Sequence, residues 1–517
     1  MVTAVATAAT VTGVGVTALG ATQADRAATS APSGGVEHRV SKLLARMTTE
    51  EKLQQVQLLS DGQITDADAK AGVGGVFSLT DPAKINHFQH IAVEESRLHI
   101  PILFAYDTIH GYRTIFPVPL GAASSFDPGV ARADATIGAR ESATVGIKQV
   151  YSPMLDVSHE PRWGRIVEGN GEDPYLGSVM GVARVEGDQG SDYSAPDKVV
   201  ASPKHYVAYG QPEGGRDYNT TDMSEQRLRN LYLPPFKAAI DAGAGTVMCS
   251  FNAINGVPGC ANKDTETNIL KNEWGFDGFI ESDYTAVSET RACPPVNPNT
   301  GPCGHGTAAD GPEAGANALM AGTDSEMVST NIRDFGEQLL SQGRITMARL
   351  DDAVRRILRI KFRAGLFEHP YVDQAKATDP ASFLTAADRT AARTAAGESM
   401  VLLKNDNQTL PLDPGKSTAV IGPLGDDQHD MLGPWWGQGR DEDAVSVYTG
   451  VKAQNPNTTF TAGCTRSNVE PPQATNDDAC HDADLAAVTA AANGADQVVL
   501  ALGETREMSG EAESRTT

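Results

Sequence analysis

Five positions along the chain place polar, chemically useful side chains at or just behind short apolar runs. Asp107 follows Ile102–Tyr106, Asp156 follows Val150–Leu155, and the Lys204-His205 pair follows Val199–Ser202. Asp283 follows Gly278–Ile280, and Asp324 follows Ala318–Met320. An aspartate after a strand is also an ordinary helix N-cap, but so many such ends in one chain point to a shared site. The sequence contains no H-E-x-x-H, no G-x-S-x-G, no Walker loop and no G-x-G-x-x-G, the patterns that announce zinc, nucleophilic-serine or nucleotide chemistry. Carboxylates remain. Two carboxyl groups flanking a sugar can split a glycosidic bond, one attacking or activating water while the other protonates the leaving oxygen. Such chemistry calls for neither a metal nor an organic cofactor.

Positioning these residues requires strands that end on one rim. The runs named above, with Val73–Phe77 and Thr246–Phe251, alternate with longer helical patterns over about 300 residues, which predicts a TIM-like (β/α)8 barrel whose C-terminal rim carries the site. Val36, Val40, Leu43, Leu44 and Met47 fall at helical spacing, and Thr48-Thr49-Glu50-Glu51 supplies a cap and an acidic first turn for the next helix. A helix over Thr346–Ala364, with Leu350, Val354, Ile357 and Leu358 on one face and Gly365 as its C-cap, closes this domain. The reading divides the chain into a leader at 1–35, a barrel at 36–370, a polar linker at 371–383 and a second domain at 384–517. The second domain restarts with a helix at Leu384–Glu398, strands near Val401–Leu403, Thr418–Ile421 and Val498–Leu502, and a helix at Leu485–Ala492. This pattern predicts an α/β (αβα) sandwich that is incomplete, with a sheet edge and an apolar face uncovered.

Composition narrows the partners. The chain has 517 residues, 40% of them hydrophobic, enough for real cores. Its 42 Lys and Arg against 66 Asp and Glu leave a net charge of −24, which repels phosphate backbones and anionic lipid headgroups and excludes nucleic acid and membrane surfaces as expected partners. The Ala-, Thr- and Val-rich head resembles a signal-peptide core with a small-residue cleavage zone near Ala21–Ala24, although no Lys or Arg precedes it. Six cysteines fall as near neighbours, Cys249 with Cys260, Cys293 with Cys303 and Cys464 with Cys480. That spacing suits local disulfides in an oxidising compartment, with buried free thiols as the alternative.

Eight segments in order carry a family resemblance: R-M-T-T-E-E-K (46–52), A-Y-D-T-I-H-G-Y-R (105–113), E-P-R-W-G-R (160–165), G-E-D-P-Y-L (171–176), K-H-Y-V-A-Y-G (204–210), W-G-F-D-G-F-I-E-S-D-Y (274–284), V-L-L-K-N (401–405) and S-G-E-A-E-S-R (509–515). Together they resemble glycoside hydrolase family 3, in particular its two-domain β-glucosidases of the bacterial periplasmic type. The resemblance implies that Asp283 is the nucleophile that forms a glycosyl-enzyme ester. It implies that Asp107, Arg113, Arg162, Lys204 and His205 grip the sugar in the −1 subsite, and that Glu511, on a loop of the second domain, is the general acid/base, with Glu504 as the rival. Cations beside Asp283 would favour its charged form, and hydroxyl contacts that tighten in the transition state would stabilise it. No metal or cofactor is implied.

Departures from the family pattern shape the remaining expectations. Tyr284 stands where many members carry Trp, and Phe251 where many carry Tyr, removing a phenol that could hold the nucleophile's free oxygen. Thr290–Gly304 looks like an inserted loop, and Trp435 and Trp436, on a Gly-rich loop, are candidates to stack on a +1 sugar or aglycone. Members of this branch continue past the acid/base loop, whereas this sequence stops at Thr517, which suggests a fragment. The expected activity is that of a secreted or periplasmic, retaining, exo-acting β-glucosidase acting on β-linked oligosaccharides or aryl glucosides. The alternatives are a β-xylosidase of the same family and a sugar-binding protein with little catalysis. An N-acetylglucosaminidase fits less well, since K-H-Y-V-A replaces that branch's K-H-F-P-G-H.

Overall fold

The computed structural model describes residues 33–292, 304–466 and 480–515. The leader as far as residue 32 and the loop holding Cys293 and Cys303 lie outside the described residues. The first helix, Ser33–Leu44, starts inside the stretch assigned to the leader.

Eight short strands form the barrel of the first domain: β1 Gln57–Ser60, β2 Gly75–Phe77, β3 Leu103–Tyr106, β4 Gln149–Val150, β5 Val200–Ala201, β6 Thr246–Met248, β7 Phe279–Glu281 and β8 Glu326–Met327. Six pair in parallel in the order β8-β1-β2-β3-β4-β5, and β6 pairs in parallel with β7. Parallel bridges from Tyr206 to Cys249 and from Glu281 to Ser325 join the two groups at both ends. The barrel is therefore closed, and each of these strands has a neighbour on both sides. Side-chain alternation sorts its core: Leu58, Ala105, Tyr151, Met248 and Met327 meet across the ring, whereas Leu59, Val76 and Phe104 pack outward with Ile85 and Ile91.

Local chemistry explains most boundaries. Thr48 and Glu51 form a capping box at Thr49–Gln55, and the D-P of G-E-D-P-Y-L is an N-cap, Asp173, followed by a proline at the first helical position of Pro174–Gln189. Two elements of the barrel differ from the sequence reading. β1 directly follows a helix whose apolar period Leu58 and Leu59 continue, so no sequence signal separates the two. Ala318–Met320 lies inside a helix, Gly311–Ala321, because an Ala-rich run behind the capping Asp310 favours helix over strand; the strand is β8. Asp324 consequently precedes its strand, at the base of the barrel, where it is buried against Lys271 at 2.8 Å and Arg349 at 2.7 Å. It braces the base and does not join the site.

The helix Met347–Arg363 buries Leu350, Val354, Ile357 and Leu358 as its pattern predicts, and also buries Lys361 completely. The Lys361 ammonium donates to Gln55 Oε1 at 3.0 Å, and burial pulls its pKa down to about 7. A lysine in the unfolded chain titrates near 10.4, so between about pH 7 and pH 10 the unfolded state binds a proton that the folded state does not. Stability should therefore rise with pH across that window. Urea unfolding of the wild type and of Lys361→Met is expected to show the wild type gaining on the variant from pH 7 to about pH 9. A pH-independent difference would mean that Lys361 stays charged in the fold.

Past the barrel, helix Ala386–Glu398 packs Ala395 against Phe116, Ala122 and Val130. A three-stranded parallel sheet follows, β9 Thr418–Ile421, β10 Thr458–Thr461 and β11 Gln497–Leu500, in the order β10-β9-β11, with helix Leu485–Asn493 leading into β11. β10, T-T-F-T, has too little apolar patterning to be read from sequence. Val401–Leu403, expected as a strand, pairs with neither sheet edge; Met400 to Leu403 are all exposed, Leu403 at 91%. Val498, Leu500 and Leu502 also face solvent. Disulfides join Cys249 to Cys260 and Cys464 to Cys480.

Candidate active site

The strand ends β3, β5 and β7 bring Asp107, Lys204, His205 and Asp283 together at the barrel mouth. Asp283 is buried, with Oδ1 accepting the Tyr284 backbone N–H at 2.7 Å. Its other oxygen has no hydrogen bond and lies 3.4 Å from His205 Nε2, and Phe251 packs nearby against Tyr209 and Tyr218 without a phenol to offer. His205 Nδ1 lies 2.8 Å from Asp156 Oδ2, which also accepts the His205 backbone N–H at 3.0 Å. Burial, then Arg165 and Lys204, hold the His205 pKa well below its usual value, so the ring is neutral. With Asp156 ionised, the Nδ1 proton points at it and Nε2 faces Asp283 as an acceptor. Burial pushes Asp156 up to about 7.

Lys204 Nζ donates to Asp107 Oδ1 at 2.6 Å. Burial opposes its charge, but Asp107, Glu168 and Asp283 together raise its pKa. Asp283 itself is raised well above the carboxylate range, first by burial and then by the charge of Glu511, with Arg165 and Lys204 opposing. The two carboxyl groups thus oppose one another's charge across the mouth, as like-charged neighbours do.

The second domain supplies the other half. Glu511 Oε1 accepts the Tyr218 hydroxyl at 2.8 Å and lies 3.5 Å from Arg165 Nη1. The loop that carries it pairs with the E-P-R-W-G-R segment: Gly510 N–H donates to Gly164 O at 2.8 Å, Gly164 N–H to Glu513 O at 3.0 Å, and Arg515 N–H to Arg162 O at 2.7 Å. A Cβ on Gly164 would come within 2.4 Å of Glu513 O, so only glycine permits this approach. A second seam lies at the Trp loop, where Gln438 N–H donates to Tyr112 O at 2.6 Å and His110 Nε2 lies 2.6 Å from Pro434 O.

The structure places several expected residues differently. Arg162 is half exposed and holds Glu160 at 2.7 Å, outside the cluster. Arg165, three residues on and not singled out from sequence, is fully buried against Glu168 at 2.9 Å and reaches Glu511. The 3-10 turn Gly164–Glu168 makes the difference by swinging the second arginine inward; the i,i+3 spacing of Arg165 and Glu168 is the signal that could have found it. Trp436 packs under the Arg506 guanidinium, 3.7 Å from its ring centre, whereas Trp435 lies over Lys204 at 5.2 Å and Arg165 at 5.9 Å. Trp435 sits at φ 59°, and this left-handed turn separates the two rings. Arg113 pairs with Asp443 of the second domain and keeps a buried Nη1 without a hydrogen bond. Tyr284 is 42% exposed at the rim, edge-on to Phe77. Glu504 is exposed, bound to Ser509 and Arg515. Among the described residues no group of His, Cys, Asp and Glu is arranged to hold a metal ion.

A closed parallel barrel with a carboxylate, two cations and an imidazole at its mouth, met by a second carboxylate from a neighbouring α/β domain, defines a glycoside-hydrolase architecture. The chain belongs to glycoside hydrolase family 3: its residues 48–360 match the glycosyl hydrolase family 3 N-terminal domain and residues 400–517 the C-terminal domain. It is 40% identical to a periplasmic β-glucosidase of Salmonella typhimurium over 92% of this chain and 64% of the relative. A β-xylosidase of Formosa agariphila is 33% identical over 85% of this chain and 62% of that protein. Crystal structures of a β-glucosidase from Listeria innocua, including one in complex with glucose, superpose with a TM-score of 0.83 at 36% identity, covering 93% of this chain and 66% of theirs. The chain thus spans just under two thirds of the length of these relatives.

Proposed function

We propose that the chain acts as a retaining, exo-acting β-glucosidase, hydrolysing terminal β-D-glucosyl residues of oligosaccharides or aryl glucosides by double displacement. One observation carries the reading: a buried aspartate at the barrel mouth is met by a glutamate that the second domain delivers, with Arg165 lying 3.5 Å from the glutamate and opposing the rise of the aspartate's pKa. Asp283 attacks the anomeric carbon while Glu511 protonates the leaving oxygen, and Glu511 then takes a proton from the water that opens the ester. Asp107, Lys204 and His205, with Arg165, would hold the sugar's hydroxyls, and Trp435 would face the aglycone. The disulfides and the likeness to a periplasmic enzyme support an exported protein; no described helix is long and apolar enough to cross a membrane.

Hydrolysis of p-nitrophenyl glucoside, xyloside and N-acetylglucosaminide, with the first product followed by NMR, tests the proposal. Glucoside turnover giving β-glucose first is expected. Preference for the xyloside would move the chain to the β-xylosidase reading, binding without turnover would make it a sugar-binding protein, and an early α-anomer would overturn retention.

A further inference from the structure

Asp217 belongs to none of the groups proposed to face the sugar, yet its carboxylate accepts four hydrogen bonds. Its Oδ1 accepts the indole N–H of Trp163 at 2.7 Å, the Tyr209 hydroxyl at 2.6 Å and the Tyr218 backbone N–H at 3.0 Å. Its Oδ2 accepts the backbone N–H of Ala512 at 2.7 Å, the residue directly after Glu511. Its own N–H donates to Ser514 Oγ at 2.9 Å. One residue therefore ties the barrel wall to the segment that follows the glutamate, and the next residue, Tyr218, holds the glutamate's carboxyl. Ala512 lies at φ 67°, a left-handed conformation disfavoured for alanine, and the bond to Asp217 fixes it there.

We infer that Asp217 and Tyr218 form a positioning pair that sets the Glu511 carboxyl over the scissile bond, which rests on the reading of Glu511 as the acid/base. An ionised carboxylate is the group suited to this position, since it can accept four hydrogen bonds and donates none. In Asp217→Asn the amide NH2 must face either Ala512 N–H or the three donors on the barrel side, and a donor opposite a donor releases one seam with almost no change in size.

The test compares kcat/KM for cellobiose, whose leaving group needs protonation, with that for 2,4-dinitrophenyl β-glucoside, whose leaving group does not. For Asp217→Asn the cellobiose value is expected to fall about 30-fold or more while the dinitrophenyl value stays within about threefold, because only the general-acid contribution is lost. Tyr218→Phe, which leaves the bonds of Asp217 in place, should shift the ratio in the same direction and decides the matter if Asp217→Asn does not fold. Loss of folded enzyme alone lowers both values by one factor and leaves the ratio unchanged. An unchanged ratio in the folded variants, alongside a shifted ratio in Glu511→Ala, overturns the positioning role. An unchanged ratio in Glu511→Ala itself overturns the acid assignment on which the pair depends.

Discussion

Asp283→Asn is expected to lower turnover of p-nitrophenyl glucoside by about 10⁴-fold or more while glucose still binds with near wild-type affinity. The amide keeps the shape of the side chain but cannot form the glycosyl ester. The other aspartates of the barrel that follow the apolar runs are engaged elsewhere: Asp156 is held by His205, Asp107 by Lys204, and Asp324 lies at the base. Lys204, Arg165 and His205 stay where they are, so glucose binding is expected to lose little. Steady-state rates together with glucose titration by calorimetry check both halves. A variant that keeps a tenth of the activity would exclude Asp283 as the nucleophile.

Glu511→Ala is expected to cut cellobiose hydrolysis by about 10²- to 10⁴-fold, and hydrolysis of an activated aryl glucoside far less in its first step. The glycosyl ester then waits for water that nothing deprotonates. Azide attacks it without a base, so added azide should speed the aryl reaction and yield β-glucosyl azide, detectable by NMR. The shortest route to a different answer runs through Glu504, but that side chain is exposed and turned to Ser509 and Arg515. Equal losses on both substrates with no azide product would remove Glu511 from the role.

Much of this site is legible in the amino-acid sequence alone. Asp283, Lys204 and His205 stand at strand ends in motifs whose residue types leave few other chemistries, and the barrel follows from the alternation of runs and helices. What escapes is whatever depends on the direction of a turn. Arg162 and Arg165 look equivalent in E-P-R-W-G-R until a 3-10 turn buries one and leaves the other in solvent. Trp435 and Trp436 are neighbours in one motif, yet a single left-handed residue sends one over the cations and the other beneath Arg506. Asp217 sits in the polar stretch G-G-R-D-Y-N-T-T, where nothing local marks it, because its partners come from residues 163, 209, 512 and 514. β1 and β10 escape for the reverse reason: each is four residues long, and pairing with neighbours rather than composition makes it a strand.

The backbone seam between residues 162–164 and 510–515 also has an evolutionary reading. On the proposed reading, the groups that would recognise the glycone are anchored in the barrel, whereas Glu511, the proposed proton donor, and the Trp loop arrive from a second domain. Substitutions in the Trp loop of that domain would then retune which aglycones are released, while Asp107 and His205 of the barrel would still meet the glycone. Laboratory recombination can exploit the same division by exchanging second domains between family members. The acceptor surface to be preserved in such chimaeras includes Gly164, Asp217, Tyr218 and the backbone of Arg162 at this seam, and His110, Tyr112 and Arg113 at the Trp loop.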